Sequence, residues 1–110
     1  MTSVIAERAL DYFGDAGIEH GAARIFLPYD EGQNWRCDYE LSWPGYQHKF
    51  YVCGDDSWQA LQLAMQIIPV MISVTDDFKA GRLGWLGERV LTKAELIRWL
   101  APQSMDVLEE

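Results

Sequence analysis

Residues 35 to 53 read Trp35-Arg36-Cys37-Asp38-Tyr39-Glu40-Leu41-Ser42-Trp43-Pro44-Gly45-Tyr46-Gln47-His48-Lys49-Phe50-Tyr51-Val52-Cys53. The first half alternates strictly, with Trp35, Cys37, Tyr39, Leu41 and Trp43 on one face and Arg36, Asp38, Glu40 and Ser42 on the other. Side chains of an extended chain point alternately to opposite faces, so this is the pattern of a half-buried strand. Pro44-Gly45 is turn chemistry, and behind it Tyr46, His48, Phe50 and Val52 alternate against Gln47, Lys49, Tyr51 and Cys53. The stretch predicts a β-hairpin. A two-residue loop pairs Trp43 with Tyr46, Leu41 with His48, Tyr39 with Phe50 and Cys37 with Val52, which aligns the two apolar faces. Slipping by one residue would bring Cys37 across from Cys53, but it would also set Leu41 against Lys49 and Trp43 against Gln47. The expected state is therefore two free thiols.

Upstream, Val4 to Phe13 and Ala22 to Leu27 are further strand candidates joined through Gly14-Asp15-Ala16-Gly17, the second lengthened by Ile18 to His20. Alternation in the first is imperfect, and a short helix is the alternative there. Pro28 to Asn34 is turn chemistry throughout. Four strands in series joined by short loops predict an antiparallel meander.

Beyond Gly54 the period changes. Asp56 with Gln59 forms a carboxylate version of the capping box, and Asp55 favours the positive end of the helix dipole. Trp58, Leu61, Met65, Ile68 and Ile72 then form one apolar seam, and Ala60, Ala64, Ile67, Met71, Val74 and Phe78 a second. Pro69 falls in the polar stripe, where the carbonyl it strands can meet water, so the expectation is one long kinked helix ending at Gly81. The alternative stops the helix near Ile68 and makes Val70 to Thr75 a fifth strand. Thr92 with Glu95 is a capping box, and Leu91 with Leu96 a hydrophobic staple, for a short helix over 93–101. The fold class expected is α+β, with a four-stranded antiparallel sheet, a long kinked helix and a short C-terminal helix. Residues 1–101 form one domain in this reading, and 102–110 a loosely ordered acidic tail.

The 110 residues carry 17 Asp and Glu against 9 Lys and Arg, a formal charge of −8, with 49% hydrophobic and 13% aromatic residues. That apolar mass can build a core, which excludes disorder and low complexity. Scattered basic residues and negative charge argue against nucleic acid and anionic lipid as partners. No basic stretch leads into an apolar run near Met1, and Leu61 to Val74 is shorter than a bilayer requires, so a cytoplasmic location is expected.

Three stretches resemble a family of small bacterial domains without assigned activity: Trp35-Arg36-Cys37, Gly54 to Gln66, and Gly81-Arg82-Leu83-Gly84-Trp85-Leu86-Gly87. The specific part is the Gln-Ala-Leu-Gln-Leu-Ala block at 59–64. The resemblance implies a cytoplasmic domain of strands followed by a helix, and it supplies no catalytic residues. Pro69 departs from the uninterrupted helix of that family.

Chemistry-bearing residues are few. Cys53 with His48 beside a helix start suggests a nucleophile and base, but their parity on the strand is opposite, and Asp55 and Asp56 oppose a thiolate. His20, His48, Cys37 and Cys53 have no ligand spacing, so no metal and no cofactor is expected. Asp30-Glu31, Asp55-Asp56 and Asp76-Asp77 are explained as loop and cap residues. Gly81, Gly84 and Gly87 lack the Lys-Ser/Thr ending of a phosphate loop and read as a compact connection. Trp43 and Tyr46 at the hairpin tip, with Trp58 and Met71 on the helix, are the candidate interaction surface. Core packing is the ordinary reading for Trp35, Trp58, Trp85 and Trp99.

Three functions are compatible with this pattern. The favoured one is a non-enzymatic protein-interaction domain that self-associates, as a homodimer, through the wide helix face or the hairpin, because apolar excess is the one unexplained surplus in the sequence. The second is an acidic, immunity-like inhibitor of a basic partner. The third is a small ligand-binding domain or enzyme using Cys53, His48 and Tyr51.

Overall fold

The computed structural model describes residues 3–100. The hairpin predicted from residues 35–53 is its centre. Strand β4 (Trp35–Trp43) pairs antiparallel with β5 (Tyr46–Gly54), matching Trp43 with Tyr46, Leu41 with His48, Tyr39 with Phe50 and Cys37 with Val52. Both thiols are free, as the register requires.

Strands β1 (Val4–Gly14) and β2 (Gly17–Phe26) form a second long hairpin, and β2 pairs with β4 through Ala22 to Ile25. The helix considered for the first segment does not form. Pairing along nearly the whole of β2 overrides the weak local pattern of β1. A two-residue strand β3 (Tyr29–Asp30) continues along the same edge of β4 beyond Pro28. The four long strands thus form the expected meander, but the sheet has seven strands rather than four. Far along the chain, β6 (Leu83–Trp85) pairs with β1, and β7 (Glu88–Arg89) pairs with β6. The glycine-rich segment read as a connection is this hairpin. A side chain at Gly84 would collide with the Glu88 carbonyl and the Phe13 ring, so glycine there permits close strand pairing rather than a loose loop.

Helix α1 (Ser57–Ser73) starts as predicted, the Gln59 N–H donating to Asp56 Oδ1 at 2.8 Å and the Asp55 N–H to Gln59 Oε1 at 2.6 Å. It passes through Pro69, so the fifth-strand alternative fails. Pro69 is fully buried and not in a solvent-facing stripe, a place its ring suits because it carries no polar atom, on a helix that packs against both the sheet and α3 (Lys93–Leu100). The helix ends at Ser73 and not at Gly81. Thr75 restarts it as α2 (Asp76–Lys79), with the Phe78 N–H donating to Thr75 Oγ1 and the Thr75 hydroxyl to the Ile72 carbonyl. A hydroxyl that satisfies both helix ends makes a break there cheaper than continuation.

The buried stripe of α1 is Ala60, Ala64, Ile68 and Ile72, which takes members from both predicted seams. It packs on Cys37, Tyr39 and Leu41 of β4 and on Ala23 and Ile25 of β2. Small residues at 60 and 64 let the helix approach the sheet closely. Helix α3 packs against α1, with the capping box in place: the Glu95 N–H donates to Thr92 Oγ1 at 3.2 Å. Leu91, proposed as half of a staple, stays 62% exposed while Leu96 is buried. The predicted end of this helix at 101 and the tail 102–110 lie outside the described residues. Among those residues no helix is long and apolar enough to cross a membrane.

Candidate interaction surface

The sheet is covered on one face by α1 and α3 and open on the other. On the open face the charges neutralise one another. Arg24 Nε donates to Glu7 Oε2 at 2.6 Å and Nη1 to Glu40 Oε1 at 3.3 Å, and Gln47 Nε2 donates to Glu40 Oε2 at 2.7 Å. The Gln47 hydrogen bond, followed by Lys49 and Arg24 and against the effect of burial, holds the Glu40 carboxyl below its usual range. Arg36 donates to Asp38 at 2.7 Å and lies 3.8 Å over the Tyr51 ring. These carboxylates are matched internally, which leaves little of the open face as a purely acidic docking surface.

The residues singled out from sequence do not form one patch. Trp43 is 4% exposed, stacked on Tyr46 with ring centroids 4.4 Å apart, and its Nε1 donates to Asp77 Oδ2 at 2.8 Å. The hairpin tip is therefore closed by α2, a packing partner that only the break at Thr75 supplies. Met71 is half-buried and packs against the core. Trp58 is 75% exposed instead of a core residue, because the first turn of α1 extends beyond the sheet contact that begins at Ala60. Trp58 lies at the opposite end of α1 from the hairpin tip.

His48 and Cys53 stand on opposite faces of β5, so no nucleophile and base pair is assembled. His48 Nε2 instead lies 3.3 Å from the hydroxyl of Tyr39, a phenol that burial and then Tyr46 raise above its ordinary range. Cys53 is half-buried opposite Arg36. Among the described residues no group of three or more His, Cys, Asp and Glu could hold a metal ion.

What the structure brings together was not anticipated as a surface. Strand β5 pairs with β4 on one side, and among the described residues nothing pairs with its other edge over Tyr46 to Gly54. Phe50 shares the helix-side face with Tyr39, yet it is 55% exposed where Tyr39 is 1%. Beside this edge runs a groove of about 470 Å³ lined by Val52, Cys53, Leu63, Gln66, Ile67 and Val70. Along α1, Leu63, Ile67, Val70 and its C-cap Val74 are spaced four, three and four apart, a row separate from the buried stripe. That is the spacing by which one helix seats against another. Val70 and Val74 are exposed. The signal was available, since Leu63 and Val70 were the apolar residues that neither seam absorbed and β5 is the last strand of the meander.

A domain family described as a domain of unknown function, DUF6968, matches residues 6–103. The match agrees with the resemblance to a small domain family without assigned activity. No curated protein and no solved structure matches the chain.

Proposed function

The chain belongs to the DUF6968 family of domains of unknown function, and we propose that it is a non-enzymatic interaction domain that pairs with a second copy of itself along β5. One observation carries the reading: a nine-residue strand edge that has no pairing strand among the described residues lies beside a partly exposed apolar helix row. An unpaired edge presents alternate N–H and C=O groups ready to accept a strand.

The second copy fits this edge better than an arbitrary strand. Antiparallel pairing about Phe50 sets Phe50 against its own symmetry mate, Lys49 opposite Tyr51 and His48 opposite Val52. Lys49 is the sole formal charge in 46–54, so no like charges stand directly opposite. The twofold axis keeps both copies of α1 on the same face of a continuous sheet and brings Leu63, Ile67, Val70 and Val74 toward their counterparts. Among the described residues the open-face carboxylates Glu7, Asp38 and Glu40 are already paired, which makes that face a weaker basis for the acidic-inhibitor reading.

Sedimentation equilibrium or light scattering after size exclusion tests this directly. The expected mass is twice the 12.6 kDa chain. The closing pair Trp43–Tyr46 is bonded across the turn, so the N–H groups of residues 47, 49, 51 and 53 point away from β4. Lys49→Pro therefore removes an outer donor without touching the β4 ladder, and Val70→Glu places a charge in the helix row. Both should give monomers with unchanged far-ultraviolet circular dichroism. A monomeric parent protein, or dimers that survive both changes, would overturn the proposal.

A further inference from the structure

A second hollow, away from β5, lies between the sheet and the helices. It is lined by Ala6, Glu7, Arg8, Ala23, Ile25, Met65, Ile68 and Leu100 and holds about 140 Å³. Ala6, exposed at its rim, and Ala23, buried in the sheet, contribute only methyl groups to the wall. Among the described residues of its wall Arg8 is the one cation. The Arg8 guanidinium lies 4.1 Å over the Trp85 ring and donates through Nη2 to the Trp99 carbonyl at 3.0 Å. Those two contacts hold the group in place at the last turn of α3, where a positive charge suits the helix dipole. They use one of five N–H donors. Among the described residues Arg24, Arg36 and Arg82 each meet a carboxylate, whereas half-buried Arg8 meets none.

We propose that this hollow is a binding site for a small carboxylate with an apolar body of benzoate size, the carboxylate on Arg8 and the body against Ala23, Ile25, Met65 and Ile68. An enclosed apolar cavity of about 150 Å³ accommodates a benzene ring; this hollow has a similar volume but opens to solvent, which leaves the carboxylate end of a ligand room at the rim, and a guanidinium matches a carboxylate in charge and shape. Glu7 at the rim does not oppose the anion strongly, since its carboxylate is bound to Arg24 at 2.6 Å. The site is independent of pairing at β5.

Benzoate titrated into the full-length protein tests it, read by tryptophan fluorescence and by amide shifts in two-dimensional NMR. Trp85 and Trp99, whose rings pack edge to face 4.8 Å apart beside Arg8, are the natural reporters. Saturable binding is expected, with neutral benzamide at least about tenfold weaker, the equivalent of one charged hydrogen bond. Arg8→Gln should abolish that preference. Ala6→Phe, at an exposed rim position, should block both ligands while leaving Arg8 unchanged. Equal affinity for benzoate and benzamide, benzoate binding undiminished by Ala6→Phe, or no saturable signal would each overturn the proposal.

Discussion

Cys37 lies wholly inside the core, its thiol donating to the Phe26 carbonyl at 3.4 Å, and burial followed by the charge of Asp38 pushes its pKa up to about 11. Cys53 is half-buried on the edge strand. The thiolate is the reacting species, so one thiol per chain should react with a disulfide reagent in the native protein, and the second only on unfolding. Mass mapping after alkylation checks which is which. Fast labelling of Cys37 would mean that the sheet and α1 separate readily. At the β6–β7 turn, Leu86 holds a left-handed backbone (φ 55°) and is 78% exposed. A branched aliphatic residue in that conformation costs about 1 kcal/mol, whereas Asn tolerates it. Leu86→Asn should therefore raise stability by about that amount, an increase of about 4 °C in Tm by calorimetry. These single-residue features were unequally legible. Strand parity placed Phe50 on the helix side, but its exposure follows from standing on an edge, which no local pattern contains.

At the scale of elements, the β4–β5 register was readable because a one-residue slip would turn every apolar side chain to the wrong face. The α1 start was readable too, since Asp56 and Gln59 satisfy its first amides locally. Its approach to the sheet depends on Gly54, where an added Cβ would lie 2.6 Å from the Ala60 backbone nitrogen. Gly54→Ala should destabilise by about 1–3 kcal/mol, seen in urea denaturation as a lower midpoint at an unchanged slope. An unaltered midpoint would mean that the strand-to-helix junction is looser than described. The end of α1 was not readable. Hydrophobic periodicity continues through Val74 to Phe78, and only the paired bonds of Thr75 to Ile72 and Phe78 break the helix.

For the whole molecule, pairing two copies of a chain with formal charge −8 joins like charges, while the proposed contact itself is nearly uncharged. Added salt screens the long-range repulsion and strengthens apolar burial, so the dimer should tighten between low and high ionic strength. Sedimentation velocity across a salt series checks this, and weakening by salt would favour contact with a basic partner instead. The separate hollow at Arg8 was invisible from sequence, because its wall comes from β1, β2, α1 and the end of α3. By itself the sequence determined the class of fold, the hairpin register, the free thiols and the starts of α1 and α3, since each depends on neighbours a few residues away. Tertiary structure alone decided the added β6–β7 hairpin, the closure of Trp43 under α2, the β5 edge beside Leu63, Ile67 and Val70, and the placing of Arg8 over Trp85 at the end of α3. Each of those depends on which elements cover a given face, a choice set by the packing of the whole chain and not by any local period.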